Sequence, residues 1–533
     1  TVHPRFYFSV IGFVHGFAAM GGAAAENENG ATFSRIGQRL FSEKRFVQIL
    51  EARTGERLNT PLDRSDPSSG GAFVVRRISS GEQGMSCQTC HFCPNEKGRG
   101  ELAEHDPVPA RSDGRVVTPR NSPPLLDAIP QGQAGLLHFD GEFATAEMLV
   151  AESFLGRNFG WLPAERGEAK RHFARVIRED EERFETVSET RTGFSYATLL
   201  RGTDPEIPAE WRLPEGFRLE VMTASDDDVL AACARLVAEY LTALRFSLDT
   251  EGRHNGSPFD AFLTANRLPR GPAAGEEAAA YARRLFRAVV ALGAPRFVDE
   301  PARRLKMHEQ AFVFGEAELR GLKIFFREAT AASQRDGAGN CVECHVPPRF
   351  TDSRFHNTGV AQLEFDAANG EGAFMRLALP GVAERSADYD RWLQPTAKHP
   401  QAEGRFLSRV SASPEPKTDL GMWNVYANPE SPAPQATVEK LLNADGRLSR
   451  DEVLTRAVGR FKTSGLRDLG TSAPYLHTGN APTLEAVIEA YRRAAELARD
   501  GQLRNAPPEF FGMRLSADDA VPLVAFLRAL NED

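Results

Sequence analysis

The sequence predicts a mostly α protein built as two domains of one kind. Three observations point there. The pattern Cys-x-x-Cys-His occurs twice, as Cys87-Gln88-Thr89-Cys90-His91 and as Cys341-Val342-Glu343-Cys344-His345. Each copy follows a short amphipathic stretch, Ile36 to Phe41 in the first case and Leu319 to Phe326 in the second, which suggests an internal repeat. Elsewhere apolar residues recur at helical spacing, as from Val229 to Leu241 and in Leu484, Val487, Ile488, Tyr491 and Ala495. The expected layout is an N-terminal domain over 27–252 and a C-terminal domain over 253–533, with helical insertions around 160–250 and 375–458.

The first element is a leader. Arg5 precedes the apolar run from Phe6 to Val14, small residues follow from Gly21 to Ala25, and Glu26 comes next. A basic start, an apolar centre and a small-residue cleavage site make an export signal over 1–25, with a periplasmic destination. That run is too short to span a bilayer comfortably, and no later run is apolar enough, so no stable membrane span is expected. The chain of 533 residues and 58.5 kDa can bury several cores. With 64 basic residues against 73 acidic ones, the net charge of -9 gives no basis for nucleic-acid binding.

The two motifs carry the chemistry. Two thiols three positions apart can each form a thioether with one haem vinyl group, and the adjacent histidine then reaches the iron. Zinc is the first alternative, but two pairs so far apart in sequence make an odd zinc site, and each carries an extra histidine. A thioredoxin-like redox pair is the second, but no βαβ pattern surrounds either copy. Two covalent haem c groups are therefore expected, held by Cys87, Cys90 and His91 and by Cys341, Cys344 and His345. Cys233 reads as a small core residue within a helical stripe. Cys93, just after the first motif, is open between free thiol, disulfide partner and haem contact.

Around these motifs stand further blocks in a fixed order. Arg120-Asn121-Ser122-Pro123-Pro124-Leu125 and Phe139-Asp140-Gly141 occupy the first half. Phe350-Thr351-Asp352, Phe355-His356-Asn357-Thr358-Gly359, Phe461-Lys462-Thr463, Ala473-Pro474-Tyr475-Leu476-His477-Thr478-Gly479 and Pro482-Thr483-Leu484-Glu485 occupy the second. In that order the chain resembles the bacterial di-haem cytochrome c peroxidase and MauG superfamily. The resemblance implies two cytochrome c-like haem domains, the first peroxidatic and the second for electron transfer. It implies reduction of hydrogen peroxide to water via a high-valent di-haem intermediate, with electrons from a small periplasmic donor of cytochrome c or cupredoxin type. It also implies a calcium ion at the domain interface, held by the Asn121 side chain and the backbone of Ser472 and Pro474; oxygen ligands of these types suit calcium. The alternatives are a MauG-like enzyme that oxidises residues of a partner protein and a non-catalytic di-haem electron carrier. The closing helix, from a cap near Ser516, is expected to pack back on the first domain.

The departures from the family pattern shape the rest. The loop histidine that closes the first haem in resting relatives falls here on Asp113, a poor haem ligand. His105, the only nearby histidine, stands in a polar loop, so the first haem is expected to be open. The axial position of the second haem, often Met, falls on Tyr491, as in MauG-like members. Met513 is the rival ligand, and Tyr491 also lies on a helical stripe that offers a plain core role. The inter-haem tryptophan position is Phe139, far harder to oxidise; Trp161 is a relay candidate by sequence proximity. The distal acid position falls on Phe159, leaving Glu152 as the nearest carboxyl able to shuttle a proton, with Glu147 behind it. A solvated glutamate on a helix surface is the other reading of Glu152.

Overall fold

The computed structural model describes residues 33–48, 86–91, 119–129, 135–181, 193–330 and 337–533. The expected leader over 1–25, Cys93, His105 and Asp113 lie outside the described residues. The first half contributes helices α1 (33–41), α2 (Cys87–Cys90), α3 (Ala146–Phe154), α4 (Arg166–Glu179), α5 (Tyr196–Arg201) and α6 (Asp226–Ala243). Several start where a hydroxyl caps an orphan backbone N–H. Thr145 accepts from the amide of Met148, Ser195 from that of Thr198, and Ser225 from that of Asp228, which reciprocates in a capping box. Their apolar faces, with Ile36, Leu40, Phe154, Phe173, Leu199 and Val237, close into one core. Cys233 is buried within it, as its stripe suggests.

The second half runs through α7 (Pro258–Ala265), α8 (Ala278–Val290), the antiparallel pair β1 (Val298–Leu305) and β2 (Gln310–Phe314), and α9 (Glu316–Phe326). It continues through β3 (Phe355–Asn357), α10 (Val360–Asn369), α11 (Ala373–Arg376), α12 (Val382–Ala387) and α13 (Tyr389–Trp392). After α14 (Gln435–Leu442), α15 (Arg450–Ala457) and β4 (Arg460–Lys462) come α16 (Leu484–Arg499) and α17 (Ala520–Arg528). Helices α7–α9, α16 and α17 enclose a second core around Phe262, Leu322, Phe350 and Phe526. The stretch from Phe355 to Phe461 makes a third, around Phe406, Trp423, Val438 and Leu454, which Leu136 from the first half joins. The expected insertion around 375–458 contributes most of this core, with Leu136, Phe355, Phe365, Phe374 and Phe461 from outside it. No helix among the described residues is long and apolar enough to cross a membrane.

The closing helix corrects one expectation. It packs along α9 in the second core, not on the first domain. Gly321 permits the close approach, because a Cβ there would overlap the Pro522 carbonyl. Ser516 does form the expected cap, bonded reciprocally to Asp519. Past the helix, Glu532 reaches the first half, where its carboxylate accepts from the Ser247 amide at 2.6 Å.

One buried charge cluster ties distant segments together. Arg120 meets Asp140 at 2.7 Å and Asp419 at 2.5 Å, with all three side chains nearly inaccessible. Burial alone would raise the Asp140 pKa, but the Arg120 guanidinium and the His138 ring together outweigh it and hold the carboxyl well below its usual range. That contribution is therefore complete above the ordinary carboxylate pKa of about 4 and is lost as pH falls through the lower folded value. Asp419→Ala leaves Arg120 with one partner and should cost about 3–5 kcal/mol, read by denaturant unfolding at neutral pH.

Candidate functional site

The first motif folds into a single helical turn. The His91 amide donates to the Cys87 carbonyl at 2.8 Å, so the turn carries through to the histidine. His91 Nδ1 lies 3.0 Å from the Pro123 carbonyl oxygen. A carbonyl only accepts, so Nδ1 carries the hydrogen and Nε2 keeps its lone pair for a metal. Burial pushes the ring down to about 4, against the Pro123 bond, so it is neutral at neutral pH. His91 lines a cavity with Leu125, Leu149, Leu241 and Phe246.

The second motif repeats the plan. Cys341–Glu343 forms a 3-10 turn, the His345 amide donates to the Cys341 carbonyl at 2.9 Å, and His345 Nδ1 lies 3.0 Å from the Phe350 carbonyl oxygen. Burial again lowers the ring's pKa. Cys341, Cys344 and His345 line a second cavity, which is strongly apolar.

These donors fit covalently attached haem better than zinc. Cys341 and Cys344 line the second cavity, whereas Cys87 and Cys90 pack against the first core, so the four thiols do not converge. Burial pushes Cys90 up to about 11 and Cys341 up to about 12, so both are neutral thiols in the protein alone. Each histidine presents the tautomer an iron needs. Arg349 and Lys462 line the first cavity and would offer cations to the carboxylates of a bound haem.

The structure brings several of the expected residues to these cavities. Phe139 lines both, together with Pro123, Pro124 and Lys462, so it stands between the two sites. The Phe139 carbonyl accepts from the Lys462 amide at 2.8 Å, and β4 pairs with β3, His356 opposite Phe461. The wall between the cavities is thus built from three separated sequence blocks. Tyr491 and Met513 both line the second cavity. Burial raises the pKa of the Tyr491 hydroxyl. The amide of Asn121 donates to the Pro474 carbonyl at 2.6 Å, and Ser472 is buried nearby. For calcium, the Asn121 amide would turn so that its oxygen, rather than its nitrogen, faced the Pro474 oxygen.

Two expectations are corrected. Trp161 lines neither cavity: it is buried in the first core, where its indole N–H donates to the Phe46 carbonyl at 3.0 Å. Glu152 is not brought to the first cavity either. It makes a two-pronged ion pair with Arg166, at 2.5 Å for each bond, with its side chain 42% exposed. Glu147 is exposed on the same helix. Glu152→Gln should leave peroxide kinetics within about two-fold of the parent, as for an ordinary surface change. Stopped-flow rates decide the point.

Two lining residues escaped the sequence reading. His138 and Asn158 both face the first cavity. The signal available was slight, a histidine directly before Phe139-Asp140-Gly141. His138 adopts a left-handed backbone, φ 73°, which is uncommon for this residue type.

No protein-family model matches the chain. Among curated proteins it is similar to cytochrome-c peroxidase IdrP2 of Denitromonas iodatirespirans, 26% identical over 214 residues, or 38% of this chain and 41% of that protein. It is also similar to cytochrome-c peroxidase IdrP1 of a Pseudomonas species, 22% identical over 215 residues, or 40% of each chain. The aligned stretch spans about two-fifths of the length of these relatives. Among solved structures, a MauG-like protein associated with microbial copper homeostasis aligns with a TM-score of 0.42 and 16% identity, over 94% of this chain and 90% of that one. The di-haem peroxidase BthA of Burkholderia thailandensis aligns with a TM-score of 0.44 and 18% identity, over 94% and 86%.

Proposed function

We propose that this chain, a distant member of the di-haem cytochrome c peroxidase and MauG-like family, is a periplasmic peroxidase that reduces hydrogen peroxide to water. The observation that carries the reading is the pair of Cys-x-x-Cys-His turns, each presenting a neutral histidine to its own cavity, with Phe139 lining both. Haem c held by His91 with Cys87 and Cys90, and by His345 with Cys341 and Cys344, would supply iron able to exchange electrons with peroxide and with a donor protein. The chain's own residues do the rest. Cys87 and Cys90, and Cys341 and Cys344, anchor the groups; Pro123 and Phe350 orient the ligand histidines. Leu149, Leu241 and Phe246 give the first cavity an apolar side facing its polar groups. Phe139 spaces the two sites without offering an easily oxidised ring. Asn121, Ser472 and Pro474 would hold calcium beside that wall and fix it. The electrons come from a small donor of cytochrome c or cupredoxin type.

Tyr491 supports a second reading, oxidation of residues on a partner protein as in MauG-like members, because it lines the second cavity beside His345. One experiment separates the two and also tests a mere electron carrier. Peroxide is added to the holoprotein with and without a reduced donor protein, and turnover is followed alongside mass changes in the donor. Catalytic peroxide consumption that requires the donor and leaves it unmodified is the expected result. Stoichiometric modification of the donor favours the second reading, and no consumption favours the carrier. The denatured protein should retain two haems by mass spectrometry; one or none overturns the assignment.

A further inference from the structure

We propose that His138 is the acid–base residue of the first cavity, taking a proton from hydrogen peroxide as it binds and returning it to the oxygen that leaves. The inference rests on the peroxidase reading of that cavity. With Glu152 tied to Arg166 outside the cavity, the relay must come from a group that lines it. Among the described residues, the other titratable lining groups are already engaged. Asp127 pairs with Arg245 at 3.0 Å, Arg467 with Asp260 at 2.9 Å, and Asp468 with His308 at 2.7 Å. Arg349 donates to the Asp127 carbonyl at 2.5 Å. Lys462 is a cation pushed down to about 8, chiefly by burial, and gives no lone pair near neutrality. His91 commits Nδ1 to Pro123 and Nε2 to the metal position.

His138 is held differently. Its Nδ1 lies 3.4 Å from a Glu142 oxygen and 3.7 Å from an Asp140 oxygen, both longer than a formed hydrogen bond, and it has no hydrogen-bond partner among the described residues. Two carboxylates therefore face one edge of the ring, directing the Nδ1 hydrogen toward themselves and leaving the Nε2 lone pair for a substrate. The left-handed backbone at His138 sits in a tight loop closed by the Leu137–Phe143 bridge, and the Phe143 ring meets the imidazole edge-on at 5.6 Å. Asp140 is itself clamped by Arg120. The ring is thus fixed by three neighbours. Burial pulls its pKa down, but Asp140 and Glu142 outweigh that and the net shift is upward, the direction that favours an imidazolium while a proton is in transit. Beyond the two carboxylates, the charged groups in this neighbourhood are Arg120 and Arg157, with the neutral ring of His91 also near.

The balance is simple. Over the whole reaction two electrons and two protons convert hydrogen peroxide into two waters. His138 moves the one proton that leaves the inner oxygen and joins the outer one, so that the O–O bond breaks with water rather than hydroxide departing. The electrons come from the donor protein. Asn158 lines the same cavity with an unpartnered buried side-chain oxygen, able to accept from the bound peroxide.

Cyanide tests the proton step without electrons. It arrives as hydrogen cyanide and binds ferric haem as the anion, so its association needs a base in the cavity. The probe is cyanide itself, added to the ferric holoprotein and to His138→Asn and His138→Gln variants; Asn tolerates the left-handed backbone. The association rate should fall by about 100-fold or more in both variants, the lower end of general-base effects, with haem content unchanged. In the parent the rate should rise with pH through a pKa above that of an ordinary histidine, and that rise should vanish in both variants. Glu142→Gln should move the rise to lower pH. Unchanged rates in both variants overturn the proposal, as does a first haem whose low-spin spectrum becomes high-spin in His138→Asn, since His138 would then be an iron ligand. If the cyanide result holds while the parent fails to turn over peroxide, the proton role of His138 stands and the peroxidase reading falls.

Discussion

His91→Gly should lower peroxide turnover by more than about 100-fold while leaving the protein folded and both haems attached. Loss of a group that merely orients a metal ligand costs 10- to 100-fold, and His91 is the ligand itself. The thioethers at Cys87 and Cys90 do not depend on the imidazole, so the spectrum should change without loss of haem. The vacated space borders a cavity, and the Pro123 carbonyl keeps its place as acceptor. Added imidazole should therefore fill the site and restore part of the activity, which a collapsed fold would not allow. His345→Gly provides the contrast. It should still bind peroxide at the first site but lose turnover that depends on the donor protein. If the His345 variant loses peroxide binding while the His91 variant keeps it, the two sites have been assigned the wrong way round.

The anchor points of both sites were legible because they are local. Cys-x-x-Cys-His needs only one turn of chain, and that turn forms at both copies. The helix caps were legible for the same reason. What depended on chain folding back was not. β3 and β4 are three residues each, too short for any period, and become strands only because each satisfies the other. The third core is built from short helices and loops between Phe355 and Phe461, none with a long stripe to announce it. Glu152 was misplaced by one position on a helix. Leu149 and Ser153, four apart, share the face that lines the cavity, and Glu152 is rotated off it toward Arg166. His138 was passed over because a lone histidine among aromatics says little until Asp140 and Glu142 are seen to curl back beside it.

Tyr491→Phe should raise the reduction potential of the second haem by on the order of 100 mV, a modest part of the roughly 0.8 V that axial ligands command. The reason lies in the setting of the phenol. Burial raises its pKa, so the surrounding protein favours the neutral phenol. A metal cation held at His345 would supply the charge that keeps a phenolate at neutral pH. Its anionic oxygen would in turn favour ferric over ferrous iron. The substitution removes one oxygen and keeps the ring packed against Phe510 and its helix, so a change in potential reads the oxygen and not the fold. Spectroelectrochemistry of the holoprotein should show the second haem shifted and the first nearly unmoved, with loss of any phenolate-to-iron absorption. An unchanged potential in Tyr491→Phe, together with a shifted one in Met513→Leu, would give the axial position to Met513, which lines the same cavity. In that case the second site would be a higher-potential electron-transfer centre, and the reading as an oxidant of partner residues would lose the residue that favours it.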